Sequence, residues 1–381
     1  MAASPRRRPP LKSTRISSVQ CLQLRLPFDH GAPAPLFAGK PRTTLDSGLL
    51  RVELENGLFG WGEAYGADLE ALSSIVRSRV APLAVGRDAV DEGLVESLDR
   101  ALHLMGRSGP VVHALSGLDI ALWDLRGKLE GVPVHALLGP ARRQRIPAYA
   151  SLLQYYGDVA AVRRNVSRAV ADGYTQVKLH EKTAAAVAAA REVLGEGRPL
   201  MVDVNCAWSF DEAVEMIRQL APFDPAWIEE PIWPPEDTAS LARLREATGI
   251  PIAAGENASS VHELIDDIAT RAVDHVQPSA IKAGGISTLA RLSRAVAGTP
   301  VRLAPHSAYF GPGFLATLHV LAAHPADEPI ERIYCSLGHV PYSASLPCDH
   351  GWFAVPERPG LGVDPEPELL NGPFVRRSSM G

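Results

Sequence analysis

Eight short apolar runs recur from residue 145 onward at a nearly constant spacing, and that spacing restricts the fold more than any other feature. They are RIPAYAS ending at Ser151, TQVKLHE with Lys178 and His180, PLMVDVN with Asp203, AWIEEP with Glu229, PIAAGEN with Glu256, HVQPS with Ser279, VRLAPH with His306 and ERIYCSL with Cys335. Taking Lys178 for the second run, successive steps are 27, 25, 26, 27, 23, 27 and 29 residues. Each step is long enough for one strand and one helix, and the stretches between the runs are rich in Ala, Leu and Arg. Such alternation predicts βα units in a parallel sheet, and eight of them close a barrel. The notable polar residue of each run stands at its carboxyl end, where a barrel builds its active site. An open doubly wound sheet would place its ligand after a glycine-rich first turn, and no GxGxxG follows a strand here.

Residues 1–140 lack this rhythm. RISSVQCLQLRL and GLLRVELENGLFGWGEAYG predict an antiparallel sheet with Asn56-Gly57 as a hairpin turn, and a helical stretch follows from His113 to Gly131. The expected organisation is an α+β capping domain over 1–140, a barrel over 141–340, and a segment, 341–381, that packs back on the cap. Residues 1–15, which include Arg6-Arg7-Arg8, are expected to be disordered. With 46% hydrophobic residues and a net charge of −5 spread without long charged blocks, neither a nucleic acid nor a membrane surface is an expected partner. No run reaches the ~18 apolar residues of a membrane span. Four cysteines far apart, without CxxC, suit a cytoplasmic protein with free thiols.

Strand alternation puts Lys178 and His180 on one face and Val177 and Leu179 on the other. Both cations then face the barrel mouth beside Asp203, a glutamate of WIEEP and Glu256. Three carboxylates on three consecutive strand ends make a half-ring of hard oxygen ligands suited to Mg²⁺ or Mn²⁺. Alternation lets only one of Glu229 and Glu230 face inward, and parity alone does not choose. Asn205 shares a face with Asp203, which makes it a candidate for substrate contact. A lid is expected over PFDHGAPAPLFAGKPRT. Its His30, Lys40 and Arg42 could meet a polyhydroxy acid or a second carboxylate, whereas Phe28, Leu36 and Phe37 would favour an apolar substrate.

VKLH, DVN, WIEEP, GEN, QPSAIKAGG and APH, with GWGEA and GLDIALWDLRGK in the cap, resemble the enolase superfamily in its mandelate racemase and muconate-lactonizing branches. That resemblance covers nearly the whole chain. It implies a (β/α)7β modified TIM barrel under an α+β cap, with one Mg²⁺ held by Asp203, Glu229 and Glu256, the first glutamate of EEP being the ligand. It also implies removal of a proton α to a carboxylate through an enolate, with Lys178 as a fixed cation and a lysine or histidine base. Two positions depart from the pattern. His180 replaces the second lysine of the second strand, and Ser279 replaces the aspartate or lysine of the sixth, where it can at most hydrogen-bond to His306. Because His306 matches the racemase-branch histidine, dehydration of an acid sugar to a 2-keto-3-deoxy acid is the favoured expectation. Racemisation or epimerisation, lactone cycloisomerisation and a non-catalytic metal- and ligand-binding barrel are the alternatives. The protein is expected to be a homo-oligomer acting on a small carboxylate.

Overall fold

The structure, a computed structural model, describes residues 13–338 and 346–377. The cap is built on β1 (Ile16–Asp29), which is followed by a small hairpin of β2 (Leu36–Phe37) and β3 (Lys40–Pro41), then by β4 (Thr44–Leu54) and β5 (Phe59–Tyr65). β1, β4 and β5 pair antiparallel in that order. The β4–β5 connection turns at Asn56-Gly57 as expected: Gly57 adopts φ 83°, and the Asn56 side chain accepts the Leu58 N–H. Gly60 and Gly62 of β5 face the backbone of the helix Pro110–Glu130, where an added Cβ would collide with the Ala121 and Gly117 carbonyls. This close approach explains the glycine spacing of the GWGEA segment.

All eight spaced runs are strands: β6 (Arg145–Leu152), β7 (Val177–Leu179), β8 (Leu200–Asp203), β9 (Trp227–Glu229), β10 (Ile252–Ala254), β11 (His275–Val276), β12 (Arg302–Leu303) and β13 (Ile330–Ile333). They form a parallel sheet in the order β12-β11-β10-β9-β8-β7-β6-β13, so the first and eighth strands pair and a seam lies between the seventh and eighth. Val177, Leu179, Val202 and Ile228 point outward into the main hydrophobic core under the helices. Tyr149, Met201, Trp227 and Ala253 point inward and plug the barrel. That alternation delivers the next inward position of each strand to the mouth.

β14 (Ser336–Leu337) and β16 (Val375–Arg377) pair with β1, whereas β15 (Trp352–Ala354) pairs with β6. The terminal segment therefore packs on the barrel as well as on the cap, because strand edges of both are open to it. Residues 1–12 of the expected disordered tail lie outside the described residues. Ser13–Arg15 depart from that expectation: Arg15 forms an isolated bridge to Asp88 and donates to the Gly86 carbonyl at 2.8 Å, so the tail is tied to the cap from this point.

Candidate active site

Lys178, on the middle residue of β7, is fully buried and its three N–H groups meet three carboxylates. Nζ lies 2.5 Å from Glu229 Oε1, 2.8 Å from Glu331 Oε1 and 3.2 Å from Asp203 Oδ2. Burial alone would strip its proton, but these anions outweigh it and hold Lys178 well above the usual lysine range.

His180 follows one pleat later. Its Nδ1 is 2.6 Å from the Leu152 carbonyl oxygen, which can only accept, so Nδ1 carries a hydrogen and Nε2 is the nitrogen left to exchange a proton. Nε2 is 3.1 Å from Asp203 Oδ2. Burial opposes protonation of His180, and the Asp203 carboxylate more than offsets it, leaving the group raised to about 8. Across the mouth, His306 Nε2 is 2.7 Å from Glu256 Oε2, and this carboxylate likewise outweighs burial to raise the imidazole above its ordinary value. Ser279 and His306 share a β-bridge, yet Ser279 Oγ and His306 Nδ1 are both buried without a hydrogen-bond partner. The hydrogen bond expected for this pair is thus not made.

The WIEEP question of parity resolves by geometry. Glu229 ends β9 facing inward, with Oε2 accepting the Trp227 Nε1–H. Glu230 escapes alternation through a left-handed backbone, φ 46°, and is buried too, its carboxylate accepting from Gly255 N–H and the Cys206 thiol. Burial and neighbouring carboxylates push both upward, Glu230 to about 7. Glu256 follows Gly255, whose φ of 126° turns the chain out of strand geometry and toward the mouth.

One member of the cluster was not singled out from the sequence. Glu331, on β13, is buried; its Oε2 accepts the Ser307 N–H and its main-chain carbonyl accepts the Ser307 hydroxyl, which stitches the seam between β12 and β13. The signal lies in PIERI, where Glu331 stands beside Arg332 between Ile330 and Ile333 of a strand at the expected phase. Choosing Cys335 as the polar residue of that run overlooked it. Glu331 stands 25 residues after His306, closer to the period than Cys335.

Five carboxylates (Asp203, Glu229, Glu230, Glu256 and Glu331) thus surround Lys178 and two histidines. Among the described residues no three His, Cys, Asp or Glu side chains are drawn into a finished cage; the acids are turned onto their cationic neighbours, Asp203 Oδ2 lying 3.2 Å from Lys178 Nζ and 3.1 Å from His180 Nε2. A surplus of hard oxygen donors with buried negative charge is the donor set a divalent cation of the Mg²⁺ class fits.

The lid residues separate. Lys40 and Arg42 line a cavity of about 430 Å³ with Asp46 and Tyr65. Arg42, Asp46 and Tyr65 also line an adjoining cavity that contains His306. His30 lies elsewhere: it is buried, stacked on Tyr155 at 5.6 Å, with Nε2 3.3 Å from the Gln154 carbonyl. Asn205 adopts φ 47° beside Asp203, whose Oδ1 accepts its N–H. Lys282 sets its ammonium 5.2 Å over the Tyr65 ring, at the junction of cap and barrel.

A capped (β/α)7β barrel with acids and bases on successive strand ends defines an enolase-type architecture. Residues 161–369 match the model of the enolase C-terminal domain-like family, and residues 37–139 match the mandelate racemase / muconate lactonizing enzyme N-terminal domain. The chain belongs to the mandelate racemase / muconate lactonizing enzyme family of that superfamily. It is 31% identical over 335 residues to D-galactarolactone cycloisomerase of Agrobacterium fabrum, covering 83% of this chain and 88% of the relative. It is 32% identical over 327 residues to arabinonate dehydratase of Saccharolobus solfataricus, covering 82% and 86%. A solved mandelate racemase/muconate lactonizing protein from Paracoccus denitrificans, complexed with magnesium, superposes with a TM-score of 0.84 at 27% identity, covering 96% of this chain and all of the other. No helix among the described residues is long and apolar enough to cross a membrane.

Proposed function

We propose that this protein removes the proton α to the carboxylate of an acid sugar and expels the β-hydroxyl as water, giving a 2-keto-3-deoxy acid. Asp203, Glu229 and Glu256 would hold one Mg²⁺. When bound, the ion supplies positive charge to the substrate carboxylate, which makes its α-proton removable. Lys178 keeps a fixed positive charge beside the same carboxylate and costs no reorganisation there. His180 takes the proton on Nε2. His306, approaching from a strand on the other side of the mouth, gives a proton to the departing hydroxyl; the C2–H and C3–O bonds break, water leaves, and the enol ketonises by taking a proton at C3. The reading rests on the Leu152 carbonyl accepting from His180 Nδ1, which leaves Nε2, held against Asp203 Oδ2, as the nitrogen that exchanges a proton once Asp203 is turned to the cation. The two relatives described above, a cycloisomerase and a dehydratase of acid sugars, support the substrate class. As further parts of this reading, the enzyme works in the cytoplasm as a homo-oligomer.

The test is incubation of the Mg²⁺-loaded protein with a panel of acid sugars and their lactones in D₂O. A 2-keto-3-deoxy acid carrying one deuterium at C3 is expected for at least one compound. Exchange at C2 without loss of water would replace dehydration by epimerisation, lactone consumption without a keto acid by cycloisomerisation, and silence across the panel would overturn the enzyme reading.

A further inference from the structure

Arg42 enters the site from the lid with most of its guanidinium uncommitted. Nε donates to the Thr44 carbonyl at 3.3 Å, and the group lies 5.7 Å from the centre of the Phe37 ring, so its plane is held by one hydrogen bond and one aromatic face. Among the described residues no carboxylate comes within ion-pair distance of it. Lys40, on the same lid, lines the 430 Å³ cavity beside it and is exposed to it. The one acid in that wall is Asp46, whose Oδ2 leans toward Arg25 at 3.9 Å and whose buried Oδ1 has no hydrogen-bond partner. Arg42, Asp46 and Tyr65 continue from this cavity into the one that holds His306. A substrate whose reacting end lies against His306 therefore has Arg42 on the wall the two cavities share and Lys40 beyond it.

Hydroxyl groups alone would leave a preset guanidinium fork without an opposite charge. A carboxylate matches its two remaining N–H edges, and charge-assisted pairing of that kind is stronger than any contact Arg42 makes with a neutral hydroxyl. We propose that Arg42, with Lys40 beside it, forms a subsite for a second carboxylate, so that the substrate class is a dicarboxylic acid sugar rather than a monocarboxylic one. This rests on the reading of the mouth as the site of an acid-sugar enzyme, and it commits the lid to charge over the apolar alternative offered by Leu36 and Phe37.

Binding to the full-length Mg²⁺-loaded protein, measured by calorimetry, tests it without requiring turnover. Galactarate and galactonate differ only at the distal carbon, carboxylate against hydroxymethyl, and glucarate with gluconate provides a second such pair. In at least one pair the dicarboxylate is expected to bind roughly ten- to a hundredfold more tightly. Arg42→Gln should reduce that ratio to below about threefold, and Lys40→Gln should reduce it by a smaller factor, with far-UV dichroism and melting temperature of both variants matching the wild type. A ratio near one in both pairs, no binding of either dicarboxylate, or a ratio that survives Arg42→Gln would overturn the proposal. Keto-acid formation is scored separately. A protein that prefers dicarboxylates but converts none of them would lose the proposed reaction and keep the subsite, and one that dehydrates monocarboxylates without any binding preference would do the reverse.

Discussion

In the proposed reaction, Lys178 and the two histidines divide the work by the partners the fold gives them. A lysine saturated by three acids has no lone pair to offer, so it serves as a fixed charge. His180 and His306 differ in what holds the far side of the ring: the Leu152 carbonyl fixes Nδ1–H of His180, whereas His306 Nδ1 has no partner. The anchored ring suits the base and the less constrained ring suits an acid that follows a leaving group. His180→Asn should therefore lower α-proton exchange with solvent by roughly 10²–10⁴-fold. His306→Asn should spare exchange while abolishing water loss. Deuterium incorporation followed by NMR distinguishes the two, and exchange lost equally in both variants would return the assignment of base to either ring. The residues behind this division were legible in VKLH and APH because each is a polar interruption at a fixed phase. The Leu152 contact was not, since a backbone carbonyl carries no signature in side-chain identity.

At the level of elements, the cap is keyed to the barrel by Glu63. This residue of β5 is 1% exposed, and its Oε2 accepts the Gly313 N–H at the start of the helix Pro312–Ala323. Burial pushes its carboxyl up to about 7 from an ordinary 4.5, against hydrogen bonds from Gly313, Ser47 and Gly311. The folded chain thus keeps this proton to about pH 7, while the unfolded chain releases it near 4.5. The stability contributed is complete below 4.5 and is lost as the pH rises to about 7, at about 1.4 kcal/mol per unit and about 3 kcal/mol in all. Glu63→Gln cannot ionise. Relative to wild type its stability should improve by about 3 kcal/mol across that interval, read from urea unfolding at pH 4.5 and pH 7.5; parallel pH profiles would remove Glu63 as the charge-sensitive part of the joint. GWGEA reads from sequence as part of a strand, but neither as a close glycine approach nor as a contact between cap and barrel. Gly313 lies 250 residues downstream, and nothing local records a partner at that distance.

Across the whole molecule, the regular phase of βα units was legible because one strand and one helix per step fixes where each strand end falls. How the last strand meets its neighbour was not. β12 and β13 meet through Ser307 and Glu331 side-chain and main-chain contacts rather than through a ladder, and periodicity carries no information about a seam. The same Glu331 adds a fifth carboxylate to a centre with three cationic side chains, where burial and neighbouring carboxylates already push Glu229 and Glu230 upward. In the proposed reading a divalent cation offsets that crowding of acids and binds only the folded chain. Mg²⁺ at about a hundred times its Kd should raise stability by about 2.7 kcal/mol. For a chain of this size that is a rise in Tm of roughly 3–6 °C, measured by calorimetry against NaCl of equal ionic strength to remove general screening. Asp203→Asn deletes a carboxylate that Lys178 and His180 also use, so its own Tm is not the informative quantity. The informative quantity is the Mg²⁺-induced shift, which should vanish in that variant. A shift of wild-type size in Asp203→Asn would place the cation away from the strand ends and detach the proposed chemistry from them.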